Sequence, residues 1–428
     1  MRVLLTGATG LIGTATASRL VKDGHEVIGV ARRTQPERHG VTWLTLDMRD
    51  ADRPEHWLPH LAGIDAVVNC AGVLQDGAED SARAAHVTGP IALFAACASA
   101  GVKRVIQISA IGIDRETPTE FSLTKREGDG ALMATELEWI ILRPSVVVGR
   151  AAYGGSALFR GLATLPVIPR AAGTGPLQVV QIDDLVETIV HYLRPGAPCH
   201  VELEIVGPDR LSFDDTVATY RAWLGWQPAR HIATPQWLLR ALARLGDIAG
   251  WFGWRPPIRT TALREIARGA VGDPAPWIAA TGIHPRSLAA ALAAEPATVQ
   301  ERWFACLYLL KPLVFCVLVL FWIATGVVSL ASGWQTGMEL MHQAGLTGFL
   351  APLTIVAGAL ADLCIGVGIA FRRTARPALW AAFALSVAYM VIGTILVPQL
   401  WSDPLGPLLK IWPILALNLV AIAILEDR

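Results

Sequence analysis

The chain has 428 residues, 53% of them hydrophobic and only 17% charged, with a mean hydropathy of +0.44. That is too apolar for a soluble enzyme alone and implies a membrane portion beside the soluble part. Its 36 basic and 36 acidic side chains cancel to a formal net charge of +0, which leaves no electrostatic case for a nucleic-acid partner.

The first stretch, RVLLTGATGLIG (residues 2–13), organises the rest of the chain. Val3 to Leu5 reads as a buried parallel strand. The chain breaks at Thr6 and Gly7 and re-emerges as a helix carrying Ala15, Ala17 and Leu20 to a stop at Asp23-Gly24. Strand, glycine turn and helix aim backbone N–H groups and the positive helix end at one point, where a pyrophosphate fits. Gly7 permits the tight turn, Gly10 leaves room for the nucleotide, and Gly13 lets helix and strand pack closely; Thr9, Leu11 and Ile12 complete the cofactor-binding turn. The strand starts at once, so no cleavable signal peptide is expected ahead of it.

Glu26 to Val30 is a second strand, running into Arg32 and Arg33. A carboxylate near here accepts from a ribose 2′-OH, whereas arginine grips a 2′-phosphate, so NADP is expected over NAD, with NAD possible. Val41 to Leu46 is a third strand with Asp47 and Met48 at its C-terminal edge. Asp47 either accepts from the adenine amino group or caps a helix beginning near Asp50. Ala66 to Asn69 is a fourth strand, and the small residues of Cys70-Ala71-Gly72 let the chain pass against the nicotinamide-side ribose. A helical pattern covers 79–100 and stops at Gly101. Arg104 to Ser109 and Trp139 to Leu142 are the next strands. Strands alternating with helices predict a doubly wound parallel sheet. Six scattered cysteines (Cys70, Cys97, Cys199, Cys306, Cys316, Cys364) show no CxxC and no metal-ligand spacing; no metal is expected, and a reduced, cytoplasmic setting suits them.

TGATGLIG, NCAG, the strand-end ISAIG and LRPSVVVG, in that order, resemble an atypical or extended short-chain dehydrogenase/reductase. The likeness is greatest to the NAD(P)-binding branch that includes an accessory subunit of respiratory complex I, and it covers residues 1–290. The resemblance implies a catalytic serine at Ser109 and a lysine at Lys125, the latter also holding the nicotinamide ribose. The family's tyrosine position, four residues before that lysine, is Phe121, whose phenyl ring has no proton to give. Three readings stay open: NADP binding without turnover, substitution by Ser122, Thr124 or water, or a displaced motif. Tyr153 lies downstream as another hydroxyl.

Gln178 to Ile182 then leads to Asp183-Asp184, a helix start; Glu202 to Val206 is a further strand and Phe213 to Leu224 an amphipathic helix. Trp223, Trp226, Trp237, Trp251 and Trp254 crowd one region, either lining an apolar cleft, lying at a bilayer's headgroup level, or packing ordinarily. Residues 269–298 read as a last helical piece and a linker.

From Trp303 the chain changes character. Segments 304–331, 349–371, 378–397 and 408–425 are long and apolar enough for a bilayer core of about 30 Å. Arg302 precedes the first, and Arg372, Arg373 and Arg376 fill the second loop. Positive residues therefore place both termini and the nucleotide domain in the cytoplasm of an inner (cytoplasmic) membrane protein. Residues 302–425 resemble the DoxX-like membrane family, through 398–410 and DLCIG at 362–366; that family has links to quinone- or thiol-related redox chemistry. Asp362 inside a span is either a quinone, proton or headgroup contact or a hydrogen-bonded carboxyl facing the bundle interior. Lys311 is expected to snorkel, and Asp403 and Lys410 to pair with each other or with lipid phosphate.

The expected organisation is a Rossmann domain with a small C-terminal substrate portion over 1–296, then a four-helix transmembrane bundle over 302–428. Its partners are the lipid bilayer and a hydrophobic small molecule. The expected function is a membrane-anchored NAD(P)(H)-binding oxidoreductase acting on a hydrophobic carbonyl or quinone-like compound. The alternative is a non-catalytic NADP-binding sensor or assembly factor.

Overall fold

The computed structural model of the chain describes residues 1–171 and 173–425, and for residue 171 the backbone alone. They divide into two compact units: Met1–Ile248 with Pro256–Ala305, and Ala249–Arg255 with Cys306–Arg428.

In the first unit the chain runs β1 (Arg2–Thr6), α1 (Leu11–Lys22), β2 (Glu26–Ala31), β3 (Val41–Thr45), α2 (Pro54–Trp57), β4 (Ala66–Asn69), α3 (Gly89–Ala100), β5 (Arg104–Ile108), α4 (Glu120–Met133) and β6 (Glu138–Pro144). It continues through β7 (Val147–Val148), α5 (Gly154–Ala163), β8 (Val167–Ala171), β9 (Val180–Gln181), α6 (Ile182–Leu193), β10 (Val201–Ile205), α7 (Phe213–Trp223) and β11 (Arg230–Thr234). Four helices come next: α8 (Gln236–Trp251), α9 (Thr260–Arg268), α10 (Ala275–Thr281) and α11 (Leu288–Ala294). Seven strands form one parallel sheet in the order β10-β6-β5-β4-β1-β2-β3. Successive strand residues face opposite sides, so Val3 and Leu5 enter the core beneath α1 and α6 while Leu4 joins Trp57, Phe94 and Leu93 on the other face. Helices cover both faces, which is why the strands read as unbroken apolar runs.

The predicted doubly wound sheet is present, with four local differences. The helix expected from residue 79 starts at Ala82 and opens with a π-turn, Ala84–Thr88, before α3. Glu79 and Asp80 instead sit in a loop drawn to arginines on β2's edge. No helix begins near Asp50; α2 starts at Pro54, a residue preorganised for a helix's first turn. Two small parallel pairs, β7 with β9 and β8 with β11, have no counterpart in the sequence pattern. Residues 269–298 form two short helices rather than one, and Trp277 is fully buried, its indole N–H donating to Thr188 at 2.9 Å. Asp183 and Asp184 do open α6, both paired with Arg286.

The second unit contains α12 (Val299–Leu330) from Cys306 on, α13 (Trp334–Gln343), α14 (Leu350–Ala370), α15 (Ala375–Leu396) and α16 (Ile411–Ile424). Helices α12, α14 and α15, of 32, 21 and 22 residues, are long and apolar enough to cross a membrane. The fourth apolar segment is the shorter α16, whose 14 residues rise only about 21 Å. Helix α13 lies where the sequence reads as loop. Small residues let α12 and α14 approach: a Cβ on Gly366 would meet Ile323 at 2.6 Å, and one on Gly326 the Ala359 carbonyl oxygen at 2.7 Å. Asp362 is buried, its carboxyl accepting from the Tyr389 hydroxyl at 3.1 Å. Lys311 donates to the Leu425 carbonyl at the end of α16, while the exposed Asp403 accepts from the Leu405 N–H at 2.7 Å.

Candidate functional site

The sheet grows in opposite directions from β1, so the C-terminal ends of β1 and β4 open a crevice at a topological switch point. Three buried polar side chains crest those ends. Thr6 donates to Asn69 Oδ1, and Asn69 Nδ2 donates to Gln107 Oε1 at 2.7 Å. Asn69 Oδ1 also accepts from the Ala71 N–H at 3.2 Å, which fixes the 70–72 turn beside the glycine turn.

There is no room for a side chain at two of the glycines. Gly7 has φ +62°, and a Cβ there would lie 2.7 Å from the carbonyl carbon of Cys70; at Gly13 it would lie 2.2 Å from the Gly7 carbonyl oxygen. Gly10 is the N-cap of α1 and supplies no side-chain cap, so the first-turn N–H groups from Leu11 to Gly13 are left for an anion. Thr9 is exposed at the tip of the turn and Ile12 packs into the core below. A nicotinamide dinucleotide's pyrophosphate fits this cradle.

At the end of β2, Arg32 donates to Asp80 at 2.7 Å and Arg33 to Glu79 at 2.6 Å. Both arginines at the end of β2 are therefore engaged by carboxylates of the loop ahead of α3. Asp47 accepts from Arg49's backbone N–H at 3.0 Å and from its guanidinium at 2.8 Å. Burial pushes this carboxyl up, but the Arg49 hydrogen bonds outweigh it and hold Asp47 below the usual range. Asp47 therefore closes a local turn, and Met48 packs against the core beside Gly89.

Helix α4 carries the other half. Ser122, Lys125 and Asp129 share one buried face at spacings of three and four. Lys125 Nζ donates to the Ile108 carbonyl at 2.8 Å and comes within 3.2 Å of where a Cβ on Gly72 would be, so lysine, Cys70–Gly72 turn and glycine turn converge. Burial lowers the Lys125 ammonium to about 8 and raises the Cys70 thiol to about 12. Ser109 Oγ donates to Asp129 at 2.6 Å, and Arg143 Nε meets the same carboxylate oxygen at 3.3 Å. Burial raises the Asp129 carboxyl despite those two partners.

Phe121 occupies the position one turn before Lys125, and its ring packs edge-on against His86 with centroids 5.5 Å apart. His86 is buried and neutral, pushed down to about 2 by burial; it accepts from the Val73 N–H at 3.1 Å and bonds Thr124 at 2.8 Å. Thr124 in turn donates to the Glu120 carbonyl at 2.7 Å. Ser122 and Thr119 both donate to Glu265 on α9, whose other oxygen pairs with Arg268 at 2.9 Å. Tyr153 caps α5, its backbone bonded to Ser156. Of the expected site residues, the structure brings together Gly7, Gly10, Gly13, Cys70–Gly72, Ser109 and Lys125. Sequence reasoning misses His86, Asp129, Arg143, Glu265 and Arg268. The spacing from Lys125 to Asp129 and a charge inside the apolar β6 are signals for two of them; Glu265 and Arg268 arrive from a distant segment with none.

Residues 3–198 match the NAD dependent epimerase/dehydratase family, and residues 319–419 the DoxX-like family. The chain is 30% identical over 254 residues to dTDP-4-dehydrorhamnose reductase of Mycolicibacterium smegmatis, covering 54% of this chain and 71% of that one. It is 24% identical over 231 residues to ceramide reductase of Caulobacter vibrioides, covering 53% and 71%. It spans only 22% of the length of uncharacterized mycobacterial relatives matched at 28% identity. Among solved structures, MoeE5 in complex with UDP-glucuronic acid and NAD shares the fold at a TM-score of 0.54 and 19% identity, over 68% of this chain and 97% of that one. The nucleotide-binding unit belongs to the NAD-dependent epimerase/dehydratase family and takes a nicotinamide cofactor, and a DoxX-like membrane domain follows it in the same chain.

Proposed function

We propose that the chain is a membrane-anchored, nicotinamide-dependent reductase that uses NADPH on the carbonyl of an apolar molecule drawn from the bilayer. The observation that carries this reading is the convergence of Lys125, Ser109 and the 70–72 turn on the glycine turn. Two relatives named as reductases, one of a lipid, support it. When bound, the cofactor supplies hydride to the carbonyl carbon. The chain's own residues do the rest. Lys125, desolvated and fixed to the β5 edge, holds the ribose hydroxyls; Ser109, oriented by Asp129, faces the carbonyl oxygen; Arg32 and Arg33 hold the 2′-phosphate once it displaces Asp80 and Glu79. The proton that completes the alcohol comes from water, since Phe121 has none to give and the Ser122 hydroxyl donates to Glu265. Anchoring suits an apolar substrate, which partitions into lipid. The four apolar segments then cross an inner (cytoplasmic) membrane, with Arg302, Arg372, Arg373 and Arg376 on the cytoplasmic side.

The test is NADPH oxidation by the full chain in lipid vesicles against a panel of long-chain ketones, aldehydes and quinones. Turnover with one class supports the reading; no oxidation across the panel, with cofactor bound, contradicts it. Phe121 favours a second reading, a protein that binds NADP without turnover and acts through its membrane helices as a sensor or assembly factor. Under that reading Phe121→Tyr leaves the chain inactive, whereas under the first it raises the rate.

A further inference from the structure

Helix α8 presents its apolar side to the outside. Its packed side is narrow: Ala243 is buried, and a Cβ on Gly246 would lie 2.0 Å from the Ile258 carbonyl oxygen, so nothing larger fits there. Asp247 on the polar edge secures the turn into α9 by accepting from Arg259 at 3.1 Å and from Thr260 at 2.5 Å. Around the rest of the helix the pattern inverts the usual one for a water-soluble surface. Trp237, Leu245 and Trp251 are 69%, 61% and 77% exposed, and Leu238, Leu242 and Ile248 are exposed beside them. At 100° per residue these six cover one continuous arc, with Arg240 at its edge beside Trp251 and Arg244 between Trp251 and Trp237.

Chain continuity fixes what meets this arc. Residues Ala249–Arg255, the end of α8 and the turn after it, belong to the helical unit. Trp254 packs at a tilt against Phe315 of α12, centroids 4.7 Å apart, and donates to the carbonyl of Ala370, the last residue of α14, at 2.7 Å. The Arg372 N–H donates to the Phe252 carbonyl at 2.9 Å, and Phe252 packs on Phe371 at 4.9 Å. The C-terminal end of α8 is thereby tied to the end of an apolar helix, beside the arginine-bearing loop. A 16-residue helix with a tryptophan near each end, leucines between and two arginines at one side of its apolar face has the composition of an in-plane interfacial helix.

We propose that α8 lies in the surface of the bilayer that the spans cross, its Trp237–Leu245–Trp251 face sunk among the acyl chains and Arg240 and Arg244 on the phosphates of anionic lipids. The helix leads through Asp247 and Arg259 into α9, whose Glu265 and Arg268 reach Ser122 and the loop after β5. The inference does not depend on the reductase reading.

The test places an environment-sensitive fluorescent amino acid at Leu245 of the full chain, and at Ile91 on α3 as a control, in phosphatidylglycerol/phosphatidylethanolamine vesicles. Lipids brominated near the headgroup are expected to quench position 245 at least twofold and to spare position 91, while aqueous iodide does the reverse. Arg240→Glu with Arg244→Glu weakens the lipid quenching in anionic vesicles, with the unfolding midpoint unchanged. Iodide access at 245 equal to that at 91, without lipid quenching, overturns the proposal. Shielding of 245 from both quenchers overturns it too and assigns the face to a second copy of the chain.

Discussion

At the glycine turn, each backbone approach is one that a bound pyrophosphate needs: Gly7 in the left-handed region, Gly13 with no space for a Cβ, and an uncapped first turn on α1. On α4, across the same crevice, Lys125 and Ser109 are in place, but the intervening ring belongs to Phe121, and the nearby hydroxyls of Ser122 and Thr124 are committed to Glu265 and to His86 and the Glu120 carbonyl. Binding of a dinucleotide uses main-chain shape, which tolerates few alternatives. Proton transfer uses one side chain, which a single substitution removes. Cofactor binding and proton transfer therefore rest on separable features of this chain.

Variants sharpen that contrast in order of expected size. Asp129→Ala leaves Arg143 and Ser109 facing a buried gap, and loss of about 3–5 kcal/mol is expected as a large fall in unfolding midpoint; Asp129→Asn, which still accepts from Ser109, loses less. Next comes Lys125. Its folded value near 8 lies below the ordinary 10.5, so between these limits the unfolded chain binds more protons and stability rises with pH. Denaturant unfolding from pH 8 to 10 is expected to show a rise of up to about 3 kcal/mol that Lys125→Met lacks. Gly13→Ala pushes a methyl onto the Gly7 carbonyl, costing about 1–3 kcal/mol and raising the NADPH dissociation constant more than tenfold by titration, with Asp129 and its partners untouched. The smallest effect is that of Arg32→Ala with Arg33→Ala. These exposed pairs contribute about 0–1 kcal/mol to folding, so the unfolding midpoint barely moves while the preference for NADPH over NADH falls.

The sheet is legible in the sequence because each strand is a short apolar run closed by a glycine or polar break, and Ala66–Asn69 forms as read. The glycine turn is legible because its requirement is local. What escapes depends on distance in sequence. Glu79 and Asp80 fit a helical pattern but are drawn off it by Arg33 and Arg32, 46 and 48 residues away. Glu265 reaches Ser122 across 143 residues, and Arg143 meets Asp129 only because β6 lies beside α4. His86 is displayed by a π-turn, which leaves no mark in a hydrophobic period. The helix α13 escapes because its Gly337 and polar residues dilute its apolar face.

We propose that the glycine turn and the β2-edge arginines select a phosphorylated nicotinamide dinucleotide. Titration of NADPH and NADH into the full chain in lipid nanodiscs, read by the cofactor's own fluorescence, tests it most directly. Saturable NADPH binding at least about tenfold tighter than NADH, a difference near 1.4 kcal/mol, is the predicted result. Equal affinity for the two would contradict the arginine grip, and binding of neither would contradict the site itself.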